Sequence, residues 1–262
     1  MAVADTKSMA RWALFVPLAI LFASFLGAAV SPNDASAHGH GSARARSGQR
    51  TIVIGFLGGY VSRNSPIRSE VKMAKRLKAD YPDTALVETF ENRHVDAAYK
   101  EILKFISGSD DGKLSEEQKR HARVVIYGHS WGGWATVALA RKLDKQGIPV
   151  LLTLQIDSVS HWWRDDSVIP ANVEKAMNFY QSGGPLKGRK EIRAADVSRT
   201  RILGNKAYDY RKHPVKCQGY PFWDRWFAKT HMQIECDPSV WGQVESLIRA
   251  ELGPPPKQSA SN

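Results

Sequence analysis

The run Arg123-Val-Val-Ile-Tyr-Gly-His-Ser-Trp-Gly-Gly133, followed at once by Trp134-Ala-Thr-Val-Ala-Leu-Ala-Arg141, constrains this chain more than any other stretch. It reads as a short buried strand, an abrupt turn carrying a serine, and an amphipathic helix. The turn has the form G-x-S-x-G, with Gly128, Ser130 and Gly132 in the fixed places. A serine so placed is forced into a tight, strained conformation that the flanking glycines permit, because they lack the Cβ atoms that would clash. Its hydroxyl stands at the head of a helix, whose N-terminal amides and dipole favour developing negative charge. A glycine-rich turn with an idle serine would spell the same letters. The strand before it and the helix after it are what the chemistry requires, and both are present.

The rest of the chain alternates strand and helix. Thr51 to Tyr60 is a β-branched run ending in glycines, a buried strand entering a tight loop. Ser65-Pro66 starts a helix to about Tyr81, with Ile67, Val71, Ala74 and Leu77 on one stripe, and Pro82 stops it. Thr84 to Thr89 reads as a strand, and Val95, Ala98, Tyr99, Ile102, Leu103 and Ile106 recur at helical spacing. Ser115-x-x-Gln118 has the form of a capping box opening a short basic helix. Val150 to Ile156 is apolar on both faces, as in parallel sheets covered on each side. Residues 162–171 read as irregular, 172–180 as a strand or short helix, and 182–230 as loop-rich. Asp237-Pro238 then caps a final helix over 239–252. The order predicts an α/β fold, a three-layer sandwich around a mostly parallel, doubly wound sheet.

With those elements in place, Gly-His-Ser-Trp-Gly-Gly resembles the nucleophile elbow of the α/β-hydrolase superfamily, and the resemblance spans about residues 50–252. It implies a lipase-, esterase- or thioesterase-like serine hydrolase that cleaves carboxylic esters through an acyl-enzyme, with no cofactor and no metal. In that superfamily an acid follows a later strand, and a histidine lies in a loop before the last helix. Asp157, directly after the 150–156 strand, and His231, ahead of the capped final helix, stand in those places. Asp196, Asp209 and Asp224 are rival acids. His161 and His213 are rival bases, but His161 lies too near Asp157, and His213 precedes Pro214 with no helix close behind. His129 reads as a packing residue. The resemblance assigns oxyanion-hole amides to Trp131 and to the 55–60 loop, at Leu57 or Gly58, although the histidine that often leads that loop is missing. A thioesterase, amidase or peptidase would use the same residues, and a non-catalytic envelope-binding protein of hydrolase fold is the alternative outside enzymes.

The first residues read as a targeting segment. Lys7 and Arg11 form a basic start, Trp12 to Val30 is nearly all apolar, and Ala35-Ser36-Ala37 is a small-residue cleavage site. Residues 1–37 are therefore expected to be a signal peptide, 38–49 a flexible basic linker and 253–262 a disordered tail. Export to the periplasm, cell envelope or medium follows. The apolar run is close to spanning length, so retention as an N-terminal anchor is the competing reading. The net charge of +11 favours an anionic envelope surface. The basic residues are dispersed rather than gathered into a module, so nucleic acid is not expected as a partner, and a monomer acting on a small-molecule or lipid ester is. The two cysteines, Cys217 and Cys236, invite a disulfide in an exported chain, with two buried thiols as the alternative. No C-x-x-C spacing supports zinc or redox chemistry. Trp131, Trp134, Trp162, Trp163, Phe222, Trp223, Trp226 and Phe227 suggest an apolar acyl pocket, or a lid over 211–228.

Overall fold

A computed structural model describes residues 50–160, 165–221 and 229–256. Among the described residues eight strands occur in chain order: β1 (Thr51–Leu57), β2 (Ala85–Glu91), β3 (Val124–His129), β4 (Val150–Ile156), β5 (Val168–Ile169), β6 (Val173–Gln181), β7 (Arg193–Ala194) and β8 (Arg201–Tyr208). Six of them pair in the order β2-β1-β3-β4-β6-β8, every pair parallel, while β5 and β7 form a small separate ladder. The helices are α1 (Ser69–Asp80), α2 (Val95–Ser107), α3 (Glu116–Arg120), α4 (Trp131–Asp144), α5 (Lys229–Cys236) and α6 (Pro238–Leu252).

Strand alternation divides the core into two layers. Ile52, Ile54, Phe56, Val124 and Ile126 pack with Ala98 and Ile102 of α2 and with Ala135 and Leu139 of α4. Val53, Val125, Tyr127, Leu152 and Leu154 pack on the opposite face, with Met73 and Leu77 of α1 and Val240, Trp241 and Val244 of α6. Every residue of β1, β3 and β4 is buried, which is why these strands read as unbroken apolar runs. With all six strands parallel, their C-terminal ends share one rim. The winding reverses between β1 and β3, and a crevice opens there.

Several elements differ from expectation. Helix α1 begins at Ser69 rather than Ser65, because residues 65–68 form a turn closed by Arg68 N–H donating to the Ser65 carbonyl at 3.4 Å. Its first amide, Ser69 N–H, donates to Glu235 Oε1 at 3.2 Å, so α5 supplies the cap. Residues 173–181 are a strand, and the stretch expected to be loop-rich contains the edge strand β8. His231 lies on a helix, α5, not in a loop. The Ser115/Gln118 capping box forms reciprocally, at 2.8 and 3.1 Å. Cys217 and Cys236 form a disulfide with Cα atoms 5.5 Å apart. Among the described residues no helix is long and apolar enough to cross a membrane. The expected signal segment 1–37, the linker 38–49, the end of the tail (257–262) and the aromatics Trp162, Trp163, Phe222, Trp223, Trp226 and Phe227 lie outside the described residues.

Candidate active site

Ser130 joins β3 to α4 at φ 57° and ψ −124°. Among the described residues the only other non-glycine at positive φ is Asp157, at φ 43°. Such conformations cost roughly 1–3 kcal/mol each and persist only where the surroundings enforce them. Here the surroundings are backbone. A Cβ on Gly128 would strike Gly132, and one on Gly132 would strike the Phe56 carbonyl of β1. Ser130 N–H donates to the Ile156 carbonyl at 2.9 Å, while its own carbonyl accepts from Gly133 N–H at 2.9 Å and Val159 N–H at 3.1 Å. The turn is thus tied to the end of β4, where Asp157 follows.

Asp157 is fully buried and His231 is 3% exposed. Asp157 Oδ2 lies 2.6 Å from His231 Nδ1, and Oδ1 accepts from the backbone N–H of Gly188 at 3.0 Å and of Gln181 at 3.2 Å. The carboxylate cannot turn without breaking three contacts. It faces a single imidazole nitrogen, which leaves His231 Nε2 for other work. Behind it, the buried Asp166 accepts from Arg189 Nε at 2.8 Å and Nη2 at 2.6 Å and also takes the Ser158 hydroxyl, bracing the end of β4. Of the rival acids, Asp196 accepts from Ser198 and Asp209 from Arg211 N–H in local turns. His213 is exposed. Asp224 and His161 lie outside the described residues.

Ser130 and His231 line one cleft of about 260 Å³, together with Leu57, Gly58 and Trp131. Gly58 abuts the serine: a Cβ there would sit 2.8 Å from Ser130 Cβ. The buried Asn92 amide donates to the carbonyls of Leu57, at 3.1 Å, and Gly59. In a trans peptide, C=O and N–H point in opposite directions. Drawing the Leu57 carbonyl toward Asn92 therefore turns Gly58 N–H away from it.

One wall of the cleft is polar in a way the sequence reading missed. Arg68, Glu70 and His129 line it, and Glu235 lies behind them. Arg68 Nη1 is 3.4 Å from Glu235 Oε2. Burial, and then the neighbouring Glu235, raise Glu70 well above the usual carboxylate range; burial also raises Glu235, against the pull of Arg68. The two buried carboxyls lie beside each other, which favours the protonated form of Glu70. The His129 ring stacks on His231 with centroids 4.6 Å apart. Burial, then the nearby His231 and Arg68, hold His129 well below the ordinary histidine range, so its ring is neutral. One signal for Glu70 was available: at 70, 74 and 77 it falls on the buried stripe of α1. Among the described residues no group of three or more His, Cys, Asp or Glu is arranged to hold a metal ion.

No family model matches the chain, and no curated protein matches it in sequence. Among solved structures it is similar to a cutinase-like protein from Cryptococcus sp., at 12% identity over 80% of this chain and 98% of that one, with a TM-score of 0.42. Human thioesterase 2 is similar at 12% identity over 77% and 96%, TM-score 0.39. An acetylxylan esterase is similar at 13% identity over 79% and 100%, TM-score 0.38.

Proposed function

We propose that this chain, which has the α/β-hydrolase fold, is a serine hydrolase acting on carboxylic esters, with Ser130 as nucleophile, His231 as base and Asp157 as the group that orients the base. One observation carries the reading. A serine held at φ 57° on the head of a helix shares a cleft with an imidazole whose Nδ1 is fixed 2.6 Å from a buried carboxylate. A serine hydroxyl is a poor nucleophile near neutral pH, and this arrangement supplies what it lacks.

In the proposed reaction His231 Nε2 takes the Ser130 proton as Oγ attacks the acyl carbonyl. The tetrahedral oxyanion receives hydrogen bonds from Trp131 N–H, at the first turn of α4, and from the 57–58 loop. The orientation imposed by Asn92 supports Gly58 rather than Leu57 as the second donor. Each such donor is worth about 3–4 kcal/mol of transition-state stabilisation. His231 then protonates the leaving alcohol, and water releases the acyl group by the reverse sequence. A cleft of about 260 Å³ with a polar wall favours short acyl groups over long chains.

Fluorophosphonate labelling tests the assignment directly. The expected result is one adduct on Ser130, and a fall of about 10⁴-fold or more in p-nitrophenyl acetate hydrolysis for Ser130→Ala. A wild-type protein that neither labels nor hydrolyses would leave a binding protein of the same fold. Export, with residues 1–37 removed or kept as an anchor, belongs to the same proposal. The disulfide is compatible with an oxidising compartment.

A further inference from the structure

We infer that the groove leading away from the catalytic cleft between α2 and α4 binds an acidic polysaccharide and delivers an O-acyl group on that polymer to Ser130; this rests on the reading of Ser130 as nucleophile. The groove encloses about 720 Å³ and adjoins the cleft, with Tyr60 and Trp131 lining both. It follows the seam of the two helices to Lys145, just past the end of α4. That is about 20 Å at the helical rise, longer than a small ester needs.

Its lining combines two chemistries. Tyr60, Tyr99, Trp131 and Trp134 supply aromatic faces, and Tyr60 is 85% exposed, with its ring set edge-on to Trp131 at 5.4 Å. Flat rings in an open groove suit the apolar faces of sugar rings. Arg93, Arg141, Lys142 and Lys145 line the same groove, against Asp96 as its one lining acid among the described residues. Arg93 is ion-paired with Glu91, and Lys142 with Asp96 at 2.6 Å. Arg141 donates to the carbonyls of Asp165, at 2.6 Å, and Val168, at 2.9 Å, with the Asp165 carboxylate also near it, while Lys145 is exposed and makes the clearest positive excess. The groove therefore keeps an excess of positive charge, which selects a polyanion.

Among polyanions, the adjoining chemistry selects the glycan. An O-acylated uronate polymer carries a carboxylic ester that Ser130 can attack, whereas a nucleic acid offers none. A concave channel also fits a single polymer chain better than a flat bilayer surface. The step balances as a simple hydrolysis. The acyl carbon–oxygen bond breaks, the sugar hydroxyl leaves with the proton from His231, and water converts the acyl-enzyme to free carboxylate.

Two measurements test the inference, and neither confuses it with the reading of Ser130. The Ser130→Ala protein is assayed for binding to polygalacturonate, a neutral glucan, duplex DNA and phosphatidylglycerol vesicles at low and high salt. Polygalacturonate is expected to bind most tightly, with affinity lost as salt rises. Equal binding of the neutral glucan, or tighter binding of DNA or vesicles, overturns the inference. The wild type and Arg93→Glu/Lys145→Glu are then compared by the ratio of kcat/KM on O-acetylated polygalacturonate to that on p-nitrophenyl acetate. This ratio is expected to fall about tenfold in the double variant. An unchanged ratio, with Lys145→Glu alone serving if the double variant folds poorly, overturns it. A wild type inert toward p-nitrophenyl acetate defeats the hydrolase reading, and the binding result still reports on the groove.

Discussion

Asp157 is the residue on which the site's geometry turns. It is fully buried and held by two backbone amides, with its other carboxylate oxygen on His231. Asp157→Asn keeps the volume but presents an amide that can donate to Nδ1 and stabilise the wrong tautomer. We expect kcat on p-nitrophenyl acetate to fall by about 10⁴-fold, with the circular dichroism spectrum unchanged. The carboxyl pair beside the site makes a second prediction at this scale. Folded Glu70 holds a proton that the unfolded chain releases above about pH 4.5, so folded protein binds more protons and stability falls as pH rises through Glu70's raised pKa. Glu70→Gln keeps a hydrogen-bond donor toward Glu235 and removes that titration. Its stability relative to wild type should therefore grow as pH rises above the ordinary carboxylate range, by up to about 1.4 kcal/mol per pH unit in urea unfolding. A gap independent of pH would show Glu70 to be ionised in the fold. The placement of Ser130, Asp157 and His231 at one rim was legible in residue order, because the turn glycines and the strand and helix boundaries mark their positions. Asn92, Glu235 and the stacking of His129 were not. Each acts through a partner distant in the chain, and no local pattern reports such a partner.

The strand–turn–helix unit depends on glycines for space as well as for backbone freedom. Gly132 lies against the carbonyl of Phe56 and the carbonyl carbon of Leu57, atoms that cannot swing aside as a side chain can. Gly132→Ala is expected to cost about 2–4 kcal/mol in urea unfolding, and to lower kcat because the 57–58 loop moves with it. Legibility at this scale followed burial pattern. β1, β3 and β4 are buried throughout and read as apolar runs, while α2 shows helical spacing because one face meets water. β8 was missed because it closes the sheet as an edge, with half-exposed and exposed residues such as Arg201, Asn205 and Lys206. α5 was missed for the opposite reason. Residues 230–235 are all buried, so polar and apolar positions do not alternate with any period, and Thr230, His231, Gln233 and Glu235 lie inside. An element without a wet face gives pattern reading nothing to count.

Across the whole molecule, the disulfide ties the segment before α5 to the end of that helix. Cys217, Tyr220 and Met232 form a small cluster with Cys236, apart from the two main core layers. Cys217→Ser/Cys236→Ser should lose about 3 kcal/mol of stability in the chain-entropy model. The proposed esterase activity should fall with it, since α5 carries His231; full activity in the double variant would mean that packing alone holds the imidazole. The all-parallel sheet has its own consequence for how the chain reaches this state. No two paired strands are linked by a hairpin, so β1 meets β2 only after a helical crossover, and it meets β3 later still. Long loops must close before any ladder rewards them, which makes acquisition of structure slow and leaves apolar strands uncovered meanwhile. The proposed nucleophile, Ser130, and its proposed orienting acid, Asp157, directly follow β3 and β4, while the imidazole of His231 arrives more than seventy residues later, on α5. On the proposed assignment, a nascent polypeptide therefore carries an unarmed serine until synthesis has passed residue 231.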